Sequence, residues 1–260
     1  MTAPSLKRKT LHEYFQSQSP SQSASKRTLH ATKCPISTAT TTTPPNLPLG
    51  LSIIPDFVTT DEQATLLSFL EAETWRTDLS RRTIHYGGTY CLMPPKTASA
   101  AERAAISKRI ITAQPIPNSL RWVIDRMIAT DLYPAGFPPR FCIVNEYCPP
   151  HSISAHVENF RFGEPVCSLT LGSGDLMRFH ELSAPHDGSV RSFRAMQAPR
   201  TGRKVDVWLP SGSLLVLKAE ARYMWQHEIV GGRKKEKERR EWGGEGWRRV
   251  SLTFRVEKGG

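Results

Sequence analysis

The stretch from residue 140 to residue 182 reads RFCIVNEYCPPHSISAHVENFRFGEPVCSLTLGSGDLMRFHEL. It contains three apolar runs of strand length, RFCIVNEY, PVCSLTLG and DLMRFHE, each bounded by Gly, Pro or charged residues. Four similar runs follow, VDVWLP, SLLVLK, MWQHEIV and RRVSLTFR. Many short strands at close spacing are typical of a sandwich, a jelly roll or a barrel. The sequence therefore predicts a mainly β domain in this part of the chain.

The region before residue 140 adds helices to this β core, which predicts an α+β class. The run LSIIPDFVT begins at Leu51 and is typical of a strand that ends in a turn. Thr60 is expected to cap a first helix, with Gln63 as its capping-box partner. A second helix is predicted from Asn118 to Thr130, because its apolar residues recur at helical spacing.

The first part of the chain differs in composition from the rest. Between residues 16 and 48 almost every residue is Ser, Gln, Thr, Pro, Ala or Lys, so little apolar surface can be buried. Residues 1–50 hold six Lys and Arg against one acid, about half of the net charge of +11. We predict a disordered basic tail over residues 1–49 and a folded domain over residues 50–260. The charge favours a polyanionic partner, and the tail composition also suits a transit peptide.

One short motif interrupts the tail, in the sequence KRKTLHEYFQ. Leu11, Tyr14 and Phe15 follow the i, i+3, i+4 spacing of a one-turn hydrophobic plug. Residues 8–15 resemble a PCNA-interacting peptide, with Arg8 where Gln is usual, and the basic flank suits nuclear import. We expect sliding-clamp docking and a nuclear location, with a chance apolar cluster and a cytoplasmic location as the alternatives.

Composition also excludes several classes of protein. The five cysteines form no CxxC pair, which indicates a reducing compartment and disfavours a thiolate zinc site. No run reaches the roughly 18 apolar residues of a membrane span. The N-terminus lacks the apolar stretch of a secretory signal. We expect a monomer without a membrane segment.

One histidine stands out among the eight in the chain. Only His156 is followed by an acid two positions later, Glu158, and residues i and i+2 of a strand share a face. A further histidine would complete a two-His-one-carboxylate triad, which binds iron(II) and leaves coordination positions open. His227, in the run MWQHEIV, is the best candidate. Taken alone, the pair also fits a surface histidine beside a surface acid.

The last run, RRVSLTFR, places Arg249 and Arg255 six residues apart, so both face one side of a strand together with Ser251 and Thr253. Arginine is suited to bidentate binding of carboxylates. The pair would bind a dicarboxylate inside an otherwise apolar barrel. Two exposed strand arginines are the alternative.

Seven residues share an order and spacing that resemble the AlkB family of iron(II)/2-oxoglutarate-dependent dioxygenases over roughly residues 80–256; they are Asn145, Tyr147, His156, Glu158, His227, Arg249 and Arg255. The resemblance implies a double-stranded β-helix, or jelly roll, that uses Fe(II), 2-oxoglutarate and dioxygen. It places iron on His156, Glu158 and His227. It places 2-oxoglutarate on Asn145, Tyr147 and Arg255, with Arg255 pairing the distal carboxylate. Arg249 would lie beside the co-substrate or the metal carboxylate.

The resemblance also suggests a substrate. The segment RRTIHYGGTY is similar to the substrate lid of the family and nominates Arg82, Tyr86 and Tyr90 as contacts to a flipped base. An ordinary hairpin is the alternative. The implied activity is oxidative demethylation of alkylated nucleobases, with DNA repair as the first expectation. Demethylation or hydroxylation of RNA, tRNA or protein remains open.

Two features depart from the family. Glu158 stands where the family has Asp and is one methylene longer, which would shift the carboxylate by about an ångström. Full activity, weaker iron binding and a non-catalytic nucleic-acid-binding or docking protein are the three outcomes, and the complete set of co-substrate residues favours an enzyme. The segment GRKKEKERREWGGEGW is expected to be a solvated loop, although its basic residues could contact phosphates.

Overall fold

A computed structural model of the chain describes residues 47–159, 161–185 and 198–258. The motif at residues 8–15 lies outside the described residues, as does nearly all of the predicted tail. Among the residues described, no helix has both the length and the apolar character needed to cross a bilayer.

Strands provide most of the regular structure; they are β1 (Leu51–Ile54), β2 (Thr83–Tyr86), β3 (Thr89–Cys91), β4 (Ile110–Thr112), β5 (Phe141–Tyr147), β6 (Ile153–His156), β7 (Val166–Gly172), β8 (Asp175–Leu182), β9 (Arg200–Leu209), β10 (Leu214–Leu217), β11 (Trp225–Ile229) and β12 (Arg249–Arg255). The helices are α1 (Thr60–Glu71), α2 (Ala100–Lys108), α3 (Arg121–Ala129), α4 (Ala219–Tyr223) and α5 (Arg233–Gly243), with 3-10 turns at Asn118–Leu120 and Gly244–Gly246.

Two antiparallel sheets form the β core. The larger sheet has the order β1-β10-β7-β12-β5-β2, and the smaller one has the order β6-β11-β8-β9. Strands β3 and β4 form a separate hairpin. Neighbours in the larger sheet are far apart in sequence, as in a jelly roll. The predicted α+β class with a jelly-roll core is confirmed.

The larger sheet separates two apolar cores. Its outer face packs against α1 and α3, whose buried residues include Leu66, Leu70, Val123 and Met127. Its inner face packs against the smaller sheet, which contributes side chains such as Phe179. Because successive strand residues point to opposite faces, alternate residues of β12 face either the helices or the space between the sheets. Arg249 and Arg255 both face the space between the sheets.

Helix α1 begins with a cap that differs by one residue from the predicted one. Thr59 is the N-cap: its hydroxyl accepts from the Glu62 backbone N–H at 3.2 Å, and the Glu62 carboxylate accepts from the Thr59 N–H at 2.9 Å. Gln63 instead accepts from the Gly172 N–H at 3.2 Å, which ties the helix to the end of β7. The second predicted helix is present as a 3-10 turn followed by α3.

The basic segment after β11 is the helix α5 and not the expected solvated loop. Lys235 and Arg239 lie one turn apart on its buried face. Arg239 pairs with the fully buried Asp175 at 2.7 Å, and the Lys235 Nζ lies 3.5 Å from the same carboxylate. Arg239 also donates to the His151 carbonyl at 2.7 Å. A carboxylate at the start of β8 thus anchors the helix to the β core.

Candidate active site

The three predicted metal ligands lie together between the two sheets. His156 at the end of β6 pairs directly with His227 on β11, and their ring centroids are 4.5 Å apart. One ligand atom each from His156, Glu158 and His227 can be chosen so that all lie within 4.8 Å of one another. That separation is close to twice a metal–ligand bond of about 2.1 Å. Two imidazoles and one carboxylate therefore fit a single ion with open positions.

The protonation state of His156 suits metal binding. The Nδ1 of His156 lies 2.7 Å from the Ser154 carbonyl oxygen, which can only accept, so Nδ1 carries the proton and Nε2 keeps its lone pair. Burial lowers the pKa of His156 to about 4, with the nearby His227 adding to the effect. The ring is therefore neutral at physiological pH.

Arg255 holds the carboxylate of Glu158. Its Nε lies 2.6 Å from Oε2 and its Nη2 lies 3.1 Å from Oε1, and both side chains are buried. Burial would raise the pKa of Glu158, but the charge of Arg255 and its hydrogen bonds, with the neighbouring His227 adding to the effect, outweigh it and hold that pKa well below its usual range. Glu158 is therefore ionised and fixed in orientation beside the two histidines.

A second buried arginine, Arg249, lines the cavity and forms no ion pair with a carboxylate of the described residues. Its side chain is only 1% exposed, and its Nη2 donates to the Thr170 hydroxyl at 3.1 Å. Its Nε has no hydrogen-bond partner among the residues that the structure describes, and burial lowers its pKa. A buried cation without a counter-charge is costly. The cavity is therefore electrostatically suited to an anionic ligand.

The two arginines consequently differ from the expectation that Arg255 pairs the distal carboxylate of the co-substrate. Arg255 is already bonded to Glu158 through two nitrogens, whereas the Arg249 Nε has no hydrogen-bond partner in the described part of the chain. The physical reason is position: the segment after β6 brings Glu158 to the end of β12 where Arg255 lies. Arg249, six residues away on the same face, is the guanidinium left for a carboxylate.

The remaining predicted co-substrate residues line the same cavity. Asn145 and Tyr147 on β5 face inward beside Ser251 and Thr253 on β12, because these strands are neighbours in register. The Asn145 Oδ1 accepts from the Nε of Arg81 at 2.8 Å. Arg81 was not singled out by the sequence, although it directly precedes Arg82 in RRTIHY.

Two of the three nominated substrate residues point away from the cavity. The Arg82 guanidinium binds Glu146 on the helix side of the larger sheet, with Nη2 2.7 Å from Oε1, and it also bonds Glu71 at 2.9 Å. The Tyr86 hydroxyl donates to Glu73 at 3.0 Å, and its ring is buried in the helix-side core. The reason is register, because β2 pairs with β5 so that Thr83 and His85 take the cavity side.

The third nominated residue, Tyr90, packs against His85 and is not among the residues that line the cavity. It belongs to the hairpin strand β3, and its ring centroid is 4.7 Å from that of His85. The Arg76 guanidinium lies 4.1 Å from the Tyr90 ring centroid and 3.2 Å from the His85 Nε2. The hairpin thus contributes an aromatic and cationic cluster at the edge of the larger sheet.

The geometry of this cavity fits a metal-dependent enzyme that also binds an anionic ligand. The family model of the 2OG-Fe(II) oxygenase superfamily matches residues 50–255. The chain therefore belongs to this superfamily, and within it is of the AlkB type. It is a dioxygenase that depends on Fe(II), 2-oxoglutarate and dioxygen.

Several curated relatives share this region. A human protein named "Alpha-ketoglutarate-dependent dioxygenase alkB homolog 4" is 30% identical over 199 residues, 69% of this chain and 61% of that protein. An Arabidopsis thaliana "Alkylated DNA repair protein ALKBH8 homolog" is 29% identical over 71% of this chain and 51% of its own length. "Uncharacterized protein L905" of Acanthamoeba polyphaga mimivirus is 28% identical over 79% of this chain and 84% of its own length. The chain thus spans about half to three-fifths of the two cellular relatives.

Proposed function

We propose that this dioxygenase oxidatively demethylates alkylated nucleobases, with DNA as the first substrate. The observation that carries the oxidative chemistry is the presence, in one cavity, of the cluster of two histidines and one carboxylate and of Arg249, whose Nε has no partner among the described residues. A net charge of +11 favours a polyanionic substrate, and a relative is named for repair of alkylated DNA. A flipped base is the form in which such enzymes reach their target atom.

In this proposal each cavity residue has one role. His156, Glu158 and His227 hold the iron, and Arg249 pairs the distal carboxylate of 2-oxoglutarate. Asn145 and Tyr147 line the space between them. When bound, iron(II) with the co-substrate and dioxygen supplies oxidation of a C–H bond, while 2-oxoglutarate becomes succinate and carbon dioxide. An N-methyl group so hydroxylated is released as formaldehyde.

The glutamate at position 158 is compatible with catalysis. Arg255 bonds both of its oxygens, so the longer side chain is held in one orientation. Its carboxylate also remains within 3.6 Å of the His227 Nε2. The extra methylene therefore does not remove the ligand from the cluster. A non-catalytic nucleic-acid-binding or docking protein would have no chemical need for this arrangement beside an unpaired Arg249.

RNA is the second candidate substrate. Relatives include an Arabidopsis thaliana "RNA demethylase ALKBH9B", which is 24% identical over 189 residues, and a mouse "tRNA (carboxymethyluridine(34)-5-O)-methyltransferase ALKBH8", of which the chain covers 24%. The net charge favours RNA as much as DNA. An activity assay on both polymers is therefore needed to choose between DNA and RNA as the substrate.

The test compares single-stranded DNA and RNA oligonucleotides of one sequence that carry N-methylated bases. The purified chain is incubated with Fe(II), 2-oxoglutarate and ascorbate, and the nucleosides are quantified by mass spectrometry. The matched control is His156→Ala, which removes one metal ligand. We expect loss of the methyl group and release of formaldehyde on DNA above this control. Turnover on RNA alone would select the second candidate, and turnover on neither would contradict a nucleobase demethylase.

We further propose that the protein works as a monomer in the nucleus and docks on the sliding clamp through Leu11, Tyr14 and Phe15. The support is the spacing of these residues and their basic flank in the sequence. Titration of labelled peptide 1–20 with purified clamp should give saturable binding that Phe15→Ala abolishes. Equal binding by the Phe15→Ala peptide would contradict the docking.

A further inference from the structure

Arg81 makes a direct contact with a residue of the proposed co-substrate site. It immediately precedes Arg82 and strand β2, and its side chain is half-buried. Its Nε donates to the Asn145 Oδ1 at 2.8 Å, and its guanidinium carbon lies 5.9 Å from the Tyr147 ring centroid. Arg81 thus lies beside both β5 residues that line the cavity.

This contact fixes which way the Asn145 amide is turned. A guanidinium carries only donors, so the Asn145 atom that it meets must be the carbonyl oxygen and not the nitrogen. The amide nitrogen, with its two N–H groups, is therefore left on the opposite branch of the side chain. Asn145 is 6% exposed and lines the cavity, so these donors belong to the interior of the site.

We propose that Arg81 is a positioning residue that holds the Asn145 amide with its N–H donors available to an oxygen of bound 2-oxoglutarate. Without Arg81, the amide can rotate by 180° about its last bond and present its carbonyl oxygen to the anionic co-substrate. That orientation is repulsive, because both groups are acceptors. Arg81 would thereby set the affinity for 2-oxoglutarate through Asn145. The inference rests on the proposed function of the cavity.

The experiment measures co-substrate binding without turnover. Wild type, Arg81→Met and Arg81→Lys are loaded with Fe(II) under anaerobic conditions and titrated with 2-oxoglutarate, and the charge-transfer absorbance of the complex gives the dissociation constant. We expect the constant to rise roughly tenfold in Arg81→Met, as for loss of one hydrogen bond to a charged group. Iron binding should not change. Arg81→Lys retains a donor and should recover part of the affinity.

A double-mutant cycle separates positioning from a general effect of charge or folding. Asn145→Ala removes the amide, so adding Arg81→Met to it should cost little more affinity if Arg81 acts through Asn145. The matched control is Arg140→Met, since Arg140 is an exposed arginine next to β5. That variant should bind 2-oxoglutarate as wild type does. Thermal unfolding of each variant confirms that it is folded.

The outcomes distinguish two failures. If wild type binds 2-oxoglutarate and Arg81→Met binds it equally, the role of Arg81 is overturned while the proposed function stands. The role is also overturned if the effects of Arg81→Met and Asn145→Ala are additive, because Arg81 would then act independently. If the wild-type protein loaded with iron does not bind 2-oxoglutarate, the proposed function itself fails.

Discussion

Replacing Arg249 by Met should weaken 2-oxoglutarate binding strongly without weakening the fold. The free protein buries this guanidinium at 1% exposure, with a hydrogen bond to Thr170 and an Nε that has no partner in the described part of the chain. An uncompensated buried charge opposes folding, and even the replacement of a buried ion pair by well-packed apolar residues is often neutral or stabilising by about 1–4 kcal/mol. Met has a similar length and fills most of the same space. We therefore expect the free energy of unfolding of the co-substrate-free variant to equal or exceed that of wild type.

The same substitution removes the proposed partner of a buried carboxylate. Loss of one member of such a pair costs about 3–5 kcal/mol. At about 1.4 kcal/mol per tenfold change, the dissociation constant of 2-oxoglutarate should rise between roughly a hundredfold and several thousandfold. Arg255→Met is the matched comparison, because Arg255 is bonded to Glu158 in the free protein. That variant should lose stability even without co-substrate.

Urea unfolding with and without 2-oxoglutarate measures both effects. At a co-substrate concentration 100 times the dissociation constant, wild type should gain about 2.7 kcal/mol, whereas Arg249→Met should gain almost nothing. A loss of several kcal/mol in the free state of Arg249→Met would contradict the role of Arg249 as an uncompensated buried charge. Stabilisation of the variant by 2-oxoglutarate to the same extent as wild type would contradict its role as the partner of the co-substrate carboxylate.

Three further predictions concern the cluster, its surroundings and the helix α5. Glu158→Asp draws the carboxylate back by about an ångström and should weaken iron binding at least about tenfold by equilibrium dialysis; unchanged affinity would contradict a site built for glutamate. In the folded protein, burial and the nearby arginines lower the pKa of His85 to about 4, against about 6.5 in the unfolded chain. Between these two pH values the unfolded chain binds more protons at His85 than the folded protein does. The free energy of unfolding should therefore fall as the pH drops from 7 to 5, and His85 should account for about 2 kcal/mol of that fall. In urea unfolding, His85→Gln should lose about 2 kcal/mol less than wild type over the same pH range. Arg239→Met breaks a fully buried pair and should cost about 3–5 kcal/mol, whereas the double variant with Asp175→Asn should recover most of it; no recovery would argue against the pair as the anchor.

The metal site could be predicted from sequence because its information is local. His156 and Glu158 are two residues apart, and a strand places such residues on one face. The same rule placed Arg249 and Arg255 together on the inner face of β12. Which of the two arginines meets Glu158 could not be predicted, because it depends on where the segment after β6 crosses the end of β12.

The side chains of RRTIHY that face the cavity could not be predicted from the sequence. In RRTIHY both parities of the strand carry polar and bulky residues, so the pattern does not say which parity faces the cavity. The answer comes from pairing with β5, which turns Thr83 and His85 inward and sends Arg82 and Tyr86 to the helix side. Arg81, which contacts Asn145, belongs to the inward parity.

Helix α5 shows why a charged segment can be misjudged. A run of Lys, Arg and Glu predicts solvent exposure, because isolated charges are costly to bury. Lys235 and Arg239 are nevertheless buried, since Asp175 offers both a counter-charge inside the protein. That partner is about 60 residues away in sequence and carries no local signal.

We propose that this cavity couples oxidation of 2-oxoglutarate to demethylation of a nucleobase. The most direct measurement is the ratio of succinate formed to methyl groups lost from a methylated single-stranded oligonucleotide, for wild type and His156→Ala. We expect a ratio close to one for wild type and neither product for the variant. Succinate formed without any loss of methyl groups, on DNA and on RNA, would contradict the claim.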